Sequence, residues 1–411
     1  MKRAVLLTLG RLPKGLELAR CFHSAGCEVY VADPFSLHLS KPSRAVKETF
    51  KVTAPNVDRD QFGADILKIV DDRNIDIVAP VSEEALYVAA LAPRLPAGTT
   101  LLTAPLERLV RVHDKFSFIE TVREAGLRAP TTERASSDAA GRLLEQSDAV
   151  VKPVLGCSGA GLTFLSRGAT IPETVRGEDF IVQKRVRGRE ISSLSFVRNG
   201  VLQAHVLYRG RVFAGTTAAC FERVDDAPDA DAWIKTFVAH HDWSGFVAFD
   251  FIVDEDGAAW PLECNPRLTS GVHFFDHEDL ATLLLDVTSV RQCRMKSQTR
   301  FQEGHTCLTK AYAHILQPRA YFDRLKLLFS TQDVLWAPGD RAPFVLMTPM
   351  SWPILSQVMF KGASFGEAAT RDIEWRPDQA APSAISTATA STEREMTPSP
   401  DARIRSHETA A

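Results

Sequence analysis

The sequence predicts a doubly wound parallel α/β sheet at the N-terminus, followed by an α+β region built on antiparallel hairpins. Two observations predict this. Strand-like and helical segments alternate through about residue 110, which is typical of βαβ units. After about residue 112, apolar runs are separated by the turn signals Asn199-Gly200, Arg209-Gly210 and Asp256-Gly257, which are typical of hairpins and a meander.

The N-terminal segment alternates buried strands with amphipathic helices. Strands are predicted at 3–9, 28–32 and 75–81, with helical spacing of apolar residues between them. The dinucleotide fingerprint GxGxxG is missing, because the chain reads GRLPKG after the first strand. Asp33 ends the second strand, where a nucleotide-binding sheet often has an acid on the ribose. Without the glycines we interpret Asp33 as a loop cap.

The composition limits the class of protein. A chain of 411 residues is too long for one compact core, so two or three domains are expected. Hydrophobic content of 45% and charged content of 24% are ordinary for a soluble protein. The net charge of −3 gives no basic footprint for nucleic acid, and no apolar run reaches the length of a membrane span. Seven scattered cysteines without CxxC spacing favour reduced thiols and a cytoplasmic protein.

Four segments are expected along the chain. Residues 1–112 form the N-terminal α/β domain, and residues 113–300 form the α+β domain, with a flexible lid over roughly 128–185. A C-terminal extension covers 301–376, where the pattern defines no order of elements; it is a candidate for a dimer contact or for shaping specificity. Residues 377–411 are rich in Ala, Ser, Thr and Pro without apolar periodicity, which predicts a disordered tail.

Residues 245–267 predict a β-hairpin that aims two carboxylates at each other. Strand-like runs at 246–253 and 259–265 flank the two-residue turn signal. A two-residue loop there puts Asp250 opposite Glu263. Opposed side chains have Cβ atoms roughly 5 Å apart, and like charges at that distance destabilise a sheet. A buried pair is therefore expected only where a proton, an arginine or a metal resolves the repulsion.

Two further residues of the second strand complete a candidate site for metal and phosphate. Period-two alternation puts Asn265 and Arg267 on the same face as Glu263. Carboxylate and amide oxygens beside an arginine are the groups that Mg²⁺ and phosphate require. The alternative is a salt-bridged strand end, in which Arg267 only neutralises one acid.

A glycine-rich loop, Gly156-Cys-Ser-Gly-Ala-Gly161, joins two strand-like runs, so it is not a Walker A loop, which runs from strand to helix. Glycines let backbone N–H groups turn toward an anion, although an ordinary mobile hairpin tip is the alternative. Lys152 favours the anion site, because a lysine within an apolar strand needs an anionic partner.

Two more segments are candidates for nucleotide contacts. Lys115 follows the N-cap candidate Asp114 at the start of a helix predicted to run to Gly126. Cations are disfavoured at a helix N-terminus, so a nearby phosphate would explain this lysine; a solvated surface lysine is the alternative. The segment 180–190 begins as a buried strand and leaves the sheet at Gly188, where its backbone could face an adenine.

In this order, the residues resemble those of the ATP-grasp superfamily of carboxylate–amine ligases. The resemblance covers roughly residues 1–275 and includes the pre-ATP-grasp α/β domain that precedes the grasp in that family. The signature Glu263-Cys-Asn265-Pro-Arg267 after the hairpin is fairly specific, whereas the glycine loop is not. The resemblance implies two α+β subdomains that clasp ATP together with Mg²⁺, or Mn²⁺ in its place.

The resemblance also implies a role for each matching residue. Those implied for ATP are Lys115 and Lys152 on the phosphates, Gly156, Ser158, Gly159 and Gly161 in the flap, Gln183, Lys184 and Val186 at the adenine, and Glu190 on the ribose. The implied metal ligands are Asp250, Glu263 and Asn265. Arg267 would stabilise the transferred phosphoryl group, and backbone N–H groups around Gly271 would receive the substrate carboxylate. His273 would contact substrate, act as a base, or be a structural hydrogen-bonding histidine.

The chain departs from the family pattern at two places. Gln183-Lys184 stands where acidic residues are common, and Asp250 stands where a glutamate is common. The shorter Asp250 side chain reaches less far, which could weaken one of two metal sites. Cys157 and Cys264 lie near the expected ATP, and we interpret both as small packing residues.

The reaction implied by the resemblance is the activation of a small carboxylate by ATP as an acyl phosphate. An amine then displaces phosphate to form an amide, and ADP is released. The expected partners are small-molecule substrates, with a homodimer as the candidate assembly and no nucleic acid or membrane. Two alternatives remain open: a carboxylase-type subunit that makes carboxyphosphate, and a non-catalytic ATP sensor or scaffold. An oxidoreductase is disfavoured because the dinucleotide fingerprint is missing.

Overall fold

The computed structural model describes residues 2–156, 161–215, 217–286, 292–312, 314–362 and 364–377. Ser158, Gly159, Cys157 and nearly all of the tail predicted over 377–411 lie outside the described residues. In the part of the chain that is described, no helix is both long enough and apolar enough to cross a bilayer. The predicted boundaries near residues 112 and 300 and the predicted lid stay predictions.

The N-terminal part is a five-stranded sheet in which every pair of neighbours is parallel, with strand order β3-β2-β1-β4-β5. This confirms the predicted doubly wound α/β domain. The strands are β1 (Ala4–Leu7), β2 (Glu28–Asp33), β3 (Glu48–Lys51), β4 (Ile77–Ala79) and β5 (Thr100–Leu101). The helices are α1 (Pro13–Ser24), α2 (Arg59–Arg73), α3 (Ala85–Ala89) and α4 (Leu106–His113), with a 3₁₀ turn at Ala92–Arg94.

Asp33 at the end of β2 caps the loop that follows β1, as predicted. Its carboxylate accepts hydrogen bonds from the backbone N–H groups of Gly10, Arg11 and Phe35. The Arg11 guanidinium lies 2.9 Å from the same carboxylate, and both side chains are buried. Asp33 is therefore fully used in holding the loop.

A four-stranded antiparallel sheet follows, with order β6-β9-β7-β8. Its strands are β6 (Thr132–Arg134), β7 (Ala149–Pro153), β8 (Thr163–Leu165) and β9 (Phe180–Lys184), and the neighbouring helices are α5 (Lys115–Glu124) and α6 (Asp138–Gln146). A separate cluster of buried apolar side chains, including Val151, Val182 and Leu144, packs between this sheet and α6. The glycine-rich segment joins β7 to β8, as predicted.

The largest sheet has seven strands in the order β14-β13-β10-β11-β12-β15-β16. They are β10 (Arg189–Arg198), β11 (Val201–Ala214), β12 (Thr217–Val224), β13 (Gly245–Val253), β14 (Ala259–Asn265), β15 (Arg300–Gln302) and β16 (Gln332–Asp333). All pairs are antiparallel except β15 with β16. Helix α7 (Pro228–His240) buries Trp233 and Phe237 against the Phe249 face of this sheet.

One predicted turn in this sheet is wrong. The Asn199-Gly200 turn joins β10 to β11 as expected, but β11 continues through Arg209-Gly210 to Ala214. A register shift occurs beside Gly210 instead. A Cβ at Gly210 would lie 2.2 Å from the Phe213 ring. The glycine therefore marks a bulge where an aromatic ring approaches the backbone.

The C-terminal extension is helical and ends against the N-terminal domain. The 3₁₀ turn Ser270–Phe274 and α8 (His277–Leu285) precede it. Its helices are α9 (Gly304–Tyr312), α10 (Pro318–Ser330), α11 (Ala342–Val345), α12 (Met347–Met350), α13 (Trp352–Lys361) and α14 (Phe365–Thr370). Beyond α14, Ile373 is fully buried and the Trp375 ring packs on Tyr87 with ring centroids 4.7 Å apart.

We predict that Gly188→Ala destabilises the protein far more than Gly257→Ala. Both glycines have positive φ, but a Cβ at Gly188 would lie 2.2 Å from the Val253 carbonyl oxygen, whereas Gly257 faces open space. The positive φ alone costs about 1–2 kcal/mol, and the contact with backbone should add roughly 1–3 kcal/mol at Gly188. Denaturant unfolding of both variants measures the difference. Equal losses of unfolding free energy would contradict the crowding at Gly188.

Candidate active site

The β13–β14 hairpin places Asp250 directly opposite Glu263, as predicted, but by a different route. The expected two-residue loop is wrong: the turn covers residues 254–258, and the Asp254 N–H donates to the Ala258 carbonyl. That longer turn alone would shift the pairing by one residue. A register shift between Asp250 and Phe251, which leaves Leu262 without a cross-strand partner, restores the pairing.

The bulge at Leu262 supplies the partner for Lys152. With Leu262 outside the ladder, its carbonyl oxygen accepts a hydrogen bond of 2.9 Å from the Lys152 ammonium on β7. Lys152 is 6% exposed. Burial lowers its pKa to about 8, although the Glu263 carboxylate opposes the shift. The lysine predicted from its apolar strand is therefore held at the edge of the carboxylate pair.

The two carboxylates occupy different electrostatic environments. Asp250 accepts hydrogen bonds from the Ser192 hydroxyl and the Asn265 amide. Burial and the charge of Glu263 raise the pKa of Asp250 to about 7. Burial alone would raise the pKa of Glu263 too, but the ammonium groups of Lys115 and Lys152 hold it below its usual range. Such divergence is typical of carboxylate pairs at functional sites.

Lys115 joins the glycine-rich segment to the carboxylate pair. The Asp114 side chain caps α5 by accepting from the N–H groups of Phe116 and Ser117, as predicted. The Lys115 ammonium donates to the Gly156 carbonyl at 2.7 Å and lies 3.3 Å from the Glu263 carboxylate. With 7% of the residue exposed, it is not the solvated surface lysine of the alternative interpretation.

Arg267 links the hairpin to the N-terminal sheet. Its guanidinium donates to the Asn265 side-chain oxygen at 2.9 Å and to the Glu83 carboxylate at 2.7 Å. Glu83 is 1% exposed and lies 3.8 Å from the buried His113 ring. Burial opposes ionisation of Glu83, but Arg267 and His113 lower its pKa to about 2. Arg267 is therefore oriented by a buried anion.

Sequence reasoning missed Glu83 and His113. A usable signal existed for the first, because Ser82-Glu83-Glu84 begins three residues after the end of the buried strand β4. Ligands of open α/β sheets bind at the carboxyl ends of the strands. His113 lies at the end of α4, where nothing in the sequence marks it as part of a site.

The residues predicted for the adenine and ribose are less tightly joined to this cluster. Gln183 is buried, and its amide donates to the Thr132 hydroxyl across β6 and β9. Lys184 is exposed and Val186 is partly buried in the connection to β10. Glu190 lies on β10 two residues before Ser192 and so shares its face. Partial burial and the charge of Glu263 raise the pKa of Glu190.

The two residues predicted beyond Arg267 pack into the interior. A Cβ at Gly271 would lie 2.6 Å from the Leu194 Cβ, so the 3₁₀ turn fits closely on the sheet. His273 is 2% exposed, and its Nδ1 lies 3.4 Å from the buried Glu17 carboxylate. The ring also packs against Phe221. These contacts match the structural histidine that the sequence left open.

A comparison with known proteins assigns the domain. Residues 112–271 match the family model of an ATP-grasp domain. The chain contains an ATP-grasp domain. The match spans every predicted site residue except His273. No functionally curated protein shows detectable sequence similarity to the chain.

Solved structures show the same fold at low sequence identity. N5-carboxyaminoimidazole synthetase from Staphylococcus aureus, in complex with ADP, is 15% identical, covers 72% of this chain and 81% of its own, and has a TM-score of 0.55. L-amino acid ligase from Bacillus licheniformis is 15% identical over 69% and 73%, with a TM-score of 0.54. Biotin carboxylase from Campylobacter jejuni is 14% identical over 72% and 74%, with a TM-score of 0.56.

The donor set of the ATP-grasp domain fits a magnesium ion that also binds phosphate. Asp250 and Glu263 offer carboxylate oxygens, and the side-chain oxygen of Asn265 retains a second lone pair beside Arg267. Within the described ranges, no group of three or more His, Cys, Asp or Glu residues could hold a metal by itself. A magnesium ion here would need oxygens from a bound phosphate, which is the usual arrangement for Mg²⁺.

We predict that Asp250→Asn stabilises the metal-free protein at pH 8. Because the folded protein raises this pKa from 3.8 to about 7, the stability contributed by the protonated form is lost as the pH rises through that interval. Removing the charge should add about 1–3 kcal/mol at pH 8 and little at pH 4. Unfolding in EDTA at both pH values measures this. Asp256→Asn in the exposed turn is the control, and a loss of stability at pH 8 would contradict the assignment.

Proposed function

We propose that the protein is an ATP- and Mg²⁺-dependent ligase that activates a small carboxylate as an acyl phosphate and couples it to an amine. The convergence of Lys115, Lys152, Asp250, Glu263 and Arg267 in the ATP-grasp domain carries the proposal. Three cations face two acids that repel each other in the absence of a further cation. Such a set suits the triphosphate of ATP with Mg²⁺.

Each side chain then has a role in phosphoryl transfer. Lys115 and Lys152 would bind phosphate oxygens of ATP. Asp250, Glu263 and Asn265 would hold Mg²⁺, which would neutralise phosphate charge. Arg267, held by Glu83, stabilises the charge on the transferred phosphoryl group. The substrate carboxylate attacks the γ-phosphorus, and ADP leaves. The amine nitrogen then attacks the acyl carbon, the bond from carbon to the phosphate oxygen breaks, and phosphate leaves. Positioning and charge neutralisation carry such transfers.

A second candidate is a carboxylase-type reaction, in which bicarbonate is the carboxylate and carboxyphosphate the product. The structural similarity to N5-carboxyaminoimidazole synthetase and biotin carboxylase supports keeping it. Fold similarity at this identity does not choose between the two. A non-catalytic ATP sensor is disfavoured because lysine, acid, amide and arginine side chains are all retained at the matching positions.

The decisive measurement is ADP release from ATP and Mg²⁺ with a panel of amino acids and other small carboxylates, alone, in pairs and with bicarbonate. Release that requires a carboxylate and an amine, with one new amide per ADP, is expected. Release that depends on bicarbonate would establish the carboxylase reaction instead. Tight ATP binding without release in any combination would overturn both enzymatic proposals.

We predict that Lys152→Met weakens ATP binding about 10- to 100-fold, since a charge-assisted hydrogen bond contributes roughly 1.5–3 kcal/mol. Stability should change by only about 1 kcal/mol, because removal of a buried charge offsets the loss of the Leu262 hydrogen bond. Calorimetric titration with ATP and denaturant unfolding separate the two effects. Lys235→Met on the exposed face of α7 is the matched control. If the variant is unfolded, or if its ATP affinity is unchanged, Lys152 is a structural lysine and the proposed role is wrong.

A further inference from the structure

The last described segment, residues 372–376, is fixed against the N-terminal domain; we call it the C-terminal strap. Asp372 forms an ion pair of 2.8 Å with Arg11. The Tyr87 hydroxyl donates to the Glu374 carbonyl, and the Tyr87 ring packs on Trp375. Three kinds of contact, ionic, hydrogen-bonded and aromatic, therefore define the path of the backbone on both sides of Glu374.

The strap carries the Glu374 carboxylate to the beginning of the glycine-rich segment. One of its oxygens lies 3.5 Å from the position that a Cβ would take on Gly156. The Gly156 carbonyl is the one that accepts from Lys115. Glu83, which orients Arg267, and Lys115 both act electrostatically on the Glu374 carboxyl. The strap therefore brings a further acid to the candidate site from a position 107 residues beyond Arg267 in the chain.

Within the described part of the chain, no side-chain partner explains the placement of this carboxylate. Among the residues that the structure describes, none forms a hydrogen bond or ion pair with the Glu374 side chain, although its backbone is hydrogen-bonded. Burial and the charge of Glu83 raise its pKa, and the charges of Arg376 and Lys115 only partly oppose this shift. A partly buried carboxylate of this kind attracts a cation. The described residues offer no metal-binding group of three ligands, and phosphate would be repelled, which leaves an organic ammonium group.

We propose that Glu374 binds the ammonium group of the acceptor amine and takes its proton during amide formation. This rests on the proposed function. Glu374 first takes one proton from the ammonium group, which frees the lone pair of the nitrogen. The amine nitrogen then attacks the acyl carbon, the bond from that carbon to the phosphate oxygen breaks, and phosphate leaves with the second proton that the nitrogen releases. The substrate class is therefore a primary amine that is protonated in solution, such as the α-ammonium group of an amino acid. A general base in this role contributes about 10²- to 10⁴-fold to the rate.

The test separates the two half-reactions of the full-length enzyme. Hydroxylamine, which is uncharged at neutral pH, traps the acyl phosphate as a hydroxamate, and a panel of carboxylates with ATP and Mg²⁺ identifies the carboxylate. Glu374→Gln should form hydroxamate within about threefold of wild type. Its amide formation with amino acids should fall about 100-fold or more, with a raised KM for the amine. Glu145→Gln, at an exposed acid on α6, is the control of equal charge.

A second variant distinguishes the loss of the carboxylate from a change in local packing. Glu374→Ala should recover amide formation when formate is added, because formate can occupy the space of the missing carboxylate. Amide formation at the wild-type rate and KM in Glu374→Gln would overturn the inference, as would an equal loss of hydroxamate and amide. If wild type forms no hydroxamate with any carboxylate, the proposed function fails, and the role of Glu374 fails with it.

Discussion

The carboxylates of Asp250 and Glu263, opposed across β13 and β14, are the constraint on which the site depends. Two like charges at this distance destabilise a sheet, so each must be neutralised by a group from elsewhere. The protein does this unequally. Lys115 and Lys152 lower the pKa of Glu263. Asp250 instead accepts hydrogen bonds from Ser192 and Asn265, and its pKa is raised. The remaining repulsion favours the binding of one more cation, which a magnesium nucleotide would supply in the function that we propose.

The bulge at Leu262 determines which residues of β13 and β14 face each other, and so it sets the distance between the two carboxylates. A five-residue turn and a regular ladder would have moved Asp250 out of register with Glu263. Skipping Leu262 restores the pairing and at the same time releases a carbonyl oxygen toward Lys152. A buried ammonium needs such an acceptor as well as an anion. One extra residue in β14 therefore positions the acids and fixes a lysine that lies 110 residues earlier in the chain.

Much of the fold follows from local pattern, and the limits of that pattern are physical. The alternation of strands and helices, the Asp114 cap and the glycine-rich connection were predictable because each depends on residues close in sequence. The opposition of Asp250 to Glu263 was predicted from a two-residue turn that does not form, and it holds because the bulge at Leu262 compensates for the longer turn. The turn at 254–258 was not, since Asp256-Gly257 also suits longer turns and the side chain of Asp254 stabilises the one that forms. Glu83 was missed although it follows β4, and His113 was missed because only tertiary packing brings it to Glu83. The position of Glu374 beside Gly156 also depends on tertiary packing, so the sequence could name only the C-terminal extension as a candidate for specificity.

These long-range contacts give the N-terminal α/β domain a structural part in the candidate site, although its sequence lacks a dinucleotide fingerprint. Asp33 stands where a nucleotide-binding sheet has an acid for the ribose, but here its carboxylate is paired with Arg11 and accepts hydrogen bonds from backbone N–H groups. The same sheet presents Glu83 at the end of β4, where it orients Arg267 of the ATP-grasp domain. It also anchors the C-terminal strap through Arg11 and Tyr87. The N-terminal domain thus contributes to the candidate active site, and Arg11, paired with both Asp33 and Asp372, joins that domain to the segment of the residue that we propose for the amine.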